Sequence, residues 1–100
     1  MSSRPPSRAV LGAASDIGAN LTTWRKLLGL TTSQVADRAG IARSTLHRIE
    51  HGDPGVSLAA VLSTARGLGV LARLVEATDP YETDLGRAQA DRILPQRVRS

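Results

Sequence analysis

One hundred residues, 41% of them hydrophobic but with only two aromatics (Trp24 and Tyr81), bound the chain to one small domain. A core of Leu, Val, Ile and Ala suits a helical bundle better than a β-sandwich, and the lack of cysteine excludes a disulfide framework or a thiolate metal site. The net charge of +4 is too slight to name a nucleic-acid partner by itself, and it divides as +2 over 1–14, +2 over 15–78 and zero over 79–100, so function has to be argued from placement.

Residues 1–14, MSSRPPSRAVLGAA, begin Ser/Pro-rich and show no helical period, which predicts a flexible arm. Its Arg4 and Arg8 supply little phosphate neutralisation, so an idle arm is the better expectation. No apolar run is long enough for a membrane span, and the start lacks the continuous hydrophobic region of a signal peptide. A cytoplasmic protein with no membrane partner is expected. Ser15 reads as the cap of a first helix with Asp16 at its positive end. Ile17, Leu21, Trp24 and Leu28 step along one face, and Gly29 ends the helix.

Thr32–Gly52, TSQVADRAGIARSTLHRIEHG, organises the rest. Val35, Ala36 and Ala39 make the inner face of a short helix, and Thr31 with Gln34 forms its capping box. Gly40 suits a sharp turn, and small Ala36 lets the next helix cross closely. Ile41, Leu46 and Ile49 form the second apolar set, closed by Gly52. This is the pattern of a helix-turn-helix. The outward positions of the second helix are Arg43, Ser44, His47, Arg48 and His51, with Thr45 on the flank. Hydrogen-bonding, cationic side chains gathered on an exposed helix face suit the major groove of double-stranded DNA.

With GLTTSQVADRAGIARSTLHRIEHG as the carrying motif, residues 15–69 resemble the lambda-repressor/Cro (Xre) family. The resemblance implies an all-α, helix-turn-helix bundle of four to five helices, working as a homodimer on a palindromic operator. It implies base reading by Arg43, Ser44, His47 and Arg48. Phosphate contacts fall to Thr32, Thr45 and the backbone N–H groups of Gly55 and Val56. It also implies a structural ion pair between Arg25 and Glu50, clamping the first helix to the recognition helix. No cofactor or metal follows from it.

After the turn Asp53-Pro54-Gly55, Ser57 caps a fourth helix over 58–68 with Leu58, Val61, Leu62, Ala65 and Leu68 inward and Gly69 as its stop. Residues 70–77, VLARLVEA, fit two periods: Val70, Ala72 and Leu74 alternate as in a strand, while Val70, Leu71, Leu74 and Val75 also share a helix face. The crowding of β-branched and Leu residues, together with the stop at Gly69, selects a strand over 70–78. HipB-like antitoxins pair such a strand with its copy, which implies dimerisation through Val70, Leu71, Ala72, Leu74 and Val75. In 79–100, Asp79, Pro80 and Glu82 signal a helix start and Pro95 its end. The thin apolar content predicts a tail over 79–100 that is either disordered or orders against a partner protein; the resemblance to antitoxins makes that partner a cognate toxin. A stand-alone regulator remains the alternative.

One rival belongs to a different class. His47-Arg48-Ile49-Glu50-His51 matches the inverted zinc-peptidase motif H-x-x-E-H. The chain has no third His and no Cys, and the helix stops just after His51, so a zinc site through His47, Glu50 and His51 is disfavoured and no enzyme is expected.

Overall fold

The computed structural model describes residues 4–93. The expectations that fall on 1–3 and 94–100, Pro95 included, lie outside the described residues. Helices α1 (Arg8–Leu27), α2 (Thr32–Ala39), α3 (Arg43–Glu50), α4 (Leu58–Leu68), α5 (Leu71–Ala77) and α6 (Asp84–Ala88) follow in order, with a 3-10 turn over Pro80–Glu82 between the last two. No described helix is long and apolar enough to cross a membrane.

Helix α1 starts seven residues before the expected cap. Ser7, not Ser15, is its N-cap, and the Ser7 hydroxyl accepts the Val10 N–H at 3.2 Å. Pro5 and Pro6 block a helix upstream, whereas Ala9, Leu11, Ala13 and Ala14 favour one, so the arm drawn over 1–14 is helical from Arg8. At its other end, the Leu30 N–H donates to the Arg25 carbonyl and the Gly29 N–H to the Lys26 carbonyl, both at 3.0 Å. This paired closure turns Leu30 back onto the core.

The capping box of α2 is present, with Thr31 and Gln34 each accepting the other's backbone N–H at 3.1 and 2.8 Å. Gly40 then adopts φ +69, the left-handed conformation that swings α3 across α2. Leu21, Val35, Ala36, Leu46, Ile49, Ala65, Leu68 and Val70 make the buried core, drawn from α1 to α4 and the α4–α5 link. Ile17, Leu28 and Leu58, expected inside, are exposed. The line of α1 that meets α3 runs instead through Gly18 and Leu21, which places Ile17 and Leu28 at its edges. A Cβ at Gly18 would stand 2.3 Å from the Ile49 carbonyl oxygen, so the α1–α3 crossing needs glycine there.

The expected C-terminal strand over 70–78 is replaced by helix α5. Gly69 takes φ +81, and the Val70 N–H bonds the Ala65 carbonyl at 2.8 Å, which reverses the chain without extending it. Leu71, Ala72, Leu74, Glu76 and Ala77 favour a helix, and the helix wins because it turns Leu71 and Leu74 onto the existing core. Val70 is buried, Leu71 and Leu74 pack against the core, and Ala72 and Val75 face solvent. These residues therefore offer no strand edge for a partner copy. In the tail, Asp79 accepts the Tyr81 N–H at 2.9 Å and starts only the 3-10 turn. The Asp79 N–H goes to the Glu76 carbonyl rather than to Glu82. Thr83 caps α6 afresh, accepting the Gly86 N–H at 3.0 Å.

Two glycines of one helix should respond oppositely to alanine. At Gly12 an added Cβ meets nothing within 4 Å, so Gly12→Ala should stabilise the fold by about 0.5–1 kcal/mol. Gly18→Ala forces α1 away from α3 and should cost roughly 1–3 kcal/mol or more despite the better propensity. Urea denaturation of both variants checks this; a Gly18→Ala protein as stable as the wild type would refute the close crossing.

Candidate nucleic-acid interface

The outer side of α3 follows from which of its residues the core consumes. Leu46 and Ile49 are buried, leaving Arg43, Ser44, His47 and Arg48 exposed and Thr45 half-buried. Thr32, at the first position of α2, shares one shallow depression with Arg43, Ser44, His47 and Glu50. The turn at Gly40 thus brings Thr32 beside the α3 residues. Helices α1, α2 and α4 carry side-chain caps from Ser7, Thr31 and Ser57, but α3 is preceded by Ala42 and has none. Its first-turn N–H groups meet no capping side chain at the end where the helix dipole favours an anion.

Glu50, the only acid of α3, lies at the edge of this depression with its carboxylate turned onto Arg25 and largely buried. Arg25 grips it in two places, Nε to Oε2 at 2.8 Å and Nη2 to Oε1 at 3.2 Å, and Nη1 reaches the Leu30 carbonyl at 3.4 Å. The two side chains are only 14% and 8% exposed. A planar fork on a carboxylate fixes distance and angle together, so α3 cannot rotate about its axis without breaking it. Because both oxygens are taken, Glu50 is not poised as the base of a peptidase motif. The His47 and His51 rings lie with centroids 3.9 Å apart, tilted by 31°, and His51 Nδ1 lies 2.8 Å from the His47 carbonyl oxygen, so that hydrogen bond needs the proton on Nδ1.

Arg48 Nε and the Gly55 N–H are already engaged within the chain. Arg48 Nε donates to Asp53 Oδ2 at 2.7 Å, and the Gly55 N–H donates to Asp53 Oδ1 at 2.8 Å. The Gly55 N–H assigned to a phosphate is therefore already satisfied within the loop, because an aspartate two residues upstream closes an Asx-turn on it. Val56 is half-buried with its side chain against the core. Asp53 is the residue that sequence reasoning missed. Asp-Pro-Gly signals a turn, but nothing in the sequence shows that the same carboxylate reaches back to α3. The hydrogen bond from Arg48, and then that from Gly55, hold its carboxyl below the usual carboxylate value. A lowered value means the ionised pair persists through neutral and mildly acidic pH and is lost only as pH falls through that lowered value.

A family model described as a helix-turn-helix domain matches residues 16–78. The chain belongs to the helix-turn-helix domain family. No curated protein and no solved structure matches it. The helix-turn-helix match spans most of α1 and all of α2 to α5, and leaves outside it the first turns of α1 and the tail. Within it, α2 and α3 are the two helices of the motif and Gly40 the turn. The family and the exposed face of α3 together support an Xre-like, DNA-binding domain.

In this helix-turn-helix domain, Arg25→Ala strands a mostly buried carboxylate and should cost about 3 kcal/mol. On a domain of this size that lowers the thermal midpoint by more than about 10 °C. Arg66 is exposed, and among the described residues its side chain bonds only the Arg38 carbonyl, at 3.1 Å, so Arg66→Ala serves as the control and should cost at most about 1 kcal/mol. Equal midpoints for the two variants would show that the Arg25–Glu50 pair does not hold the helices together.

Proposed function

We propose that this chain is a sequence-specific transcriptional repressor that reads double-stranded DNA with the outer face of α3. The observation that carries the reading is the division of that helix: its apolar residues and its one acid are turned inward, while Arg43, Ser44, His47 and Arg48 remain outside. Docked by its N-terminal end, such a helix presents Arg43 and Ser44 first to the base edges, with His47 and Arg48 one turn further along. Arginine can bond guanine O6 and N7 together. In this reading Thr32, Thr45 and the Val56 N–H take phosphates, which hold register without reading sequence.

One recognition helix covers half an operator, so the working form is a symmetric dimer with its two α3 helices about 34 Å apart on a palindrome. The tail carries the antitoxin part of the reading. Leu85 and Ile93 are 72% and 52% exposed there, apolar area suited to a protein partner such as a toxin. A toxin gene beside this one favours the antitoxin; its absence favours the stand-alone regulator.

The test uses the duplex that the wild-type chain selects from a randomised pool, with a scrambled duplex at the same salt concentration. Arg43→Ala should weaken the selected duplex by about ten-fold or more, the scale of one good base contact, and leave the scrambled one nearly unchanged. Thr32→Ala should weaken both alike. Two chains should bind per selected duplex. If Arg43→Ala lowers both affinities by the same factor, Arg43 is a phosphate clamp and the base-reading role falls.

A further inference from the structure

The two arginines on the outer face of α3 are held differently. Arg43 is in none of the ion pairs among the described residues, whereas Arg48 is tethered to the loop that follows the helix. Two bonds join Arg48 to that loop, and a third braces the loop itself. The Asp53 N–H donates to the Arg48 carbonyl at 2.9 Å, Arg48 Nε donates to Asp53 Oδ2 at 2.7 Å, and Asp53 Oδ1 accepts the Gly55 N–H at 2.8 Å. A Cβ at Gly55 would lie 3.7 Å from Arg48 Nη2, so the guanidinium runs along the loop at that glycine. Both partners are solvent-accessible, 50% and 36% exposed, and an ion pair so placed contributes little to folding. Its effect is on geometry.

A guanidinium has five N–H donors in a rigid fork. It can meet a two-acceptor base edge side-on, through Nε and one Nη, or end-on, through both Nη atoms. Asp53 occupies Nε and leaves the end-on pair. It also places a negative charge beside Arg48, which opposes the approach of a phosphate to the same spot. A side chain with four soft torsions is thereby held in one presentation before any DNA arrives, and ordering it on binding costs less.

We propose that Asp53 is the positioning residue for Arg48: it presents the guanidinium end-on to a single guanine and keeps it off the phosphate backbone. This rests on the reading of α3 as the DNA-reading helix. Asp53 itself touches no base. Its removal should blur one position of the recognised sequence while raising affinity for DNA in general.

The experiment is selection from a randomised duplex pool, read by sequencing, with the full chain as wild type, Asp53→Asn, Arg48→Ala and the double variant. Asparagine keeps an acceptor for the Gly55 N–H but turns an NH2 group toward Arg48 Nε, so the loop persists while the tether breaks. Wild type should enrich a guanine at one position that Arg48→Ala loses. Asp53→Asn should lower the guanine preference at that same position by about ten-fold, leave the other positions in place, and bind a scrambled duplex more tightly. In the Arg48→Ala background it should change the selected sequence no further. A retained guanine preference in Asp53→Asn overturns the proposal, as does a loss spread evenly over all positions or an effect that persists without Arg48. A wild-type chain that selects no sequence overturns the reading of α3 itself, and the proposal with it.

Discussion

The carboxylate of Glu50 is the only negative charge on α3, and one guanidinium from α1 holds both of its oxygens in a nearly dry site. Much else depends on that pair. Without Arg25, the Glu50 carboxylate would need another partner or water, and Glu50 lines the same depression as Arg43, Ser44 and His47. The pair therefore settles which way α3 faces as well as how far it stands from α1. Replacing a buried ion pair with apolar residues often leaves stability unchanged or improves it. What a replacement would forfeit here is the angular definition that a two-point grip supplies.

The pair works because α1 and α3 are already close. Gly18 brings the α1 backbone against the Ile49 and Glu50 carbonyls, and Arg25, two turns further along α1, then reaches the side chain of the same Glu50. Steric approach at one point and charge at another fix two ends of one crossing. Leu46 and Ile49 fill the space between α3 and the rest of the core. The outer face of α3 is what these contacts leave over, and the Asp53 tether extends the same control into the loop that follows.

Much of this was legible in the residues. The capping box, the Gly40 turn and the inward set Val35, Ala36, Leu46 and Ile49 announce themselves through local spacing, and local spacing decides them. Most failures occur where a tertiary contact, or a choice between two equally good local signals, decides. Residues 70–77 satisfy two periods at once, and only the core already built by α1 to α4 selects the helix. The start of α1 was hidden because Ser7 and Ser15 are equally good caps, and the Ala-rich stretch between them is weakly patterned. Nothing local marks Gly18, since its reason for being there is the backbone of Ile49 and Glu50. Asp53 reads as turn chemistry until Arg48 is seen on its other oxygen.

The central claim is that the outer face of α3, held in place from behind by Arg25, meets DNA. Amide-resolved NMR of the full chain titrated with its selected duplex tests it most directly. The account predicts that the largest shifts fall on Arg43, Ser44, His47 and Arg48, with a second group at Thr32 and Val56, while residues 79–93 stay unmoved. Shifts concentrated on the tail, or on the exposed side of α1 with α3 silent, would contradict it.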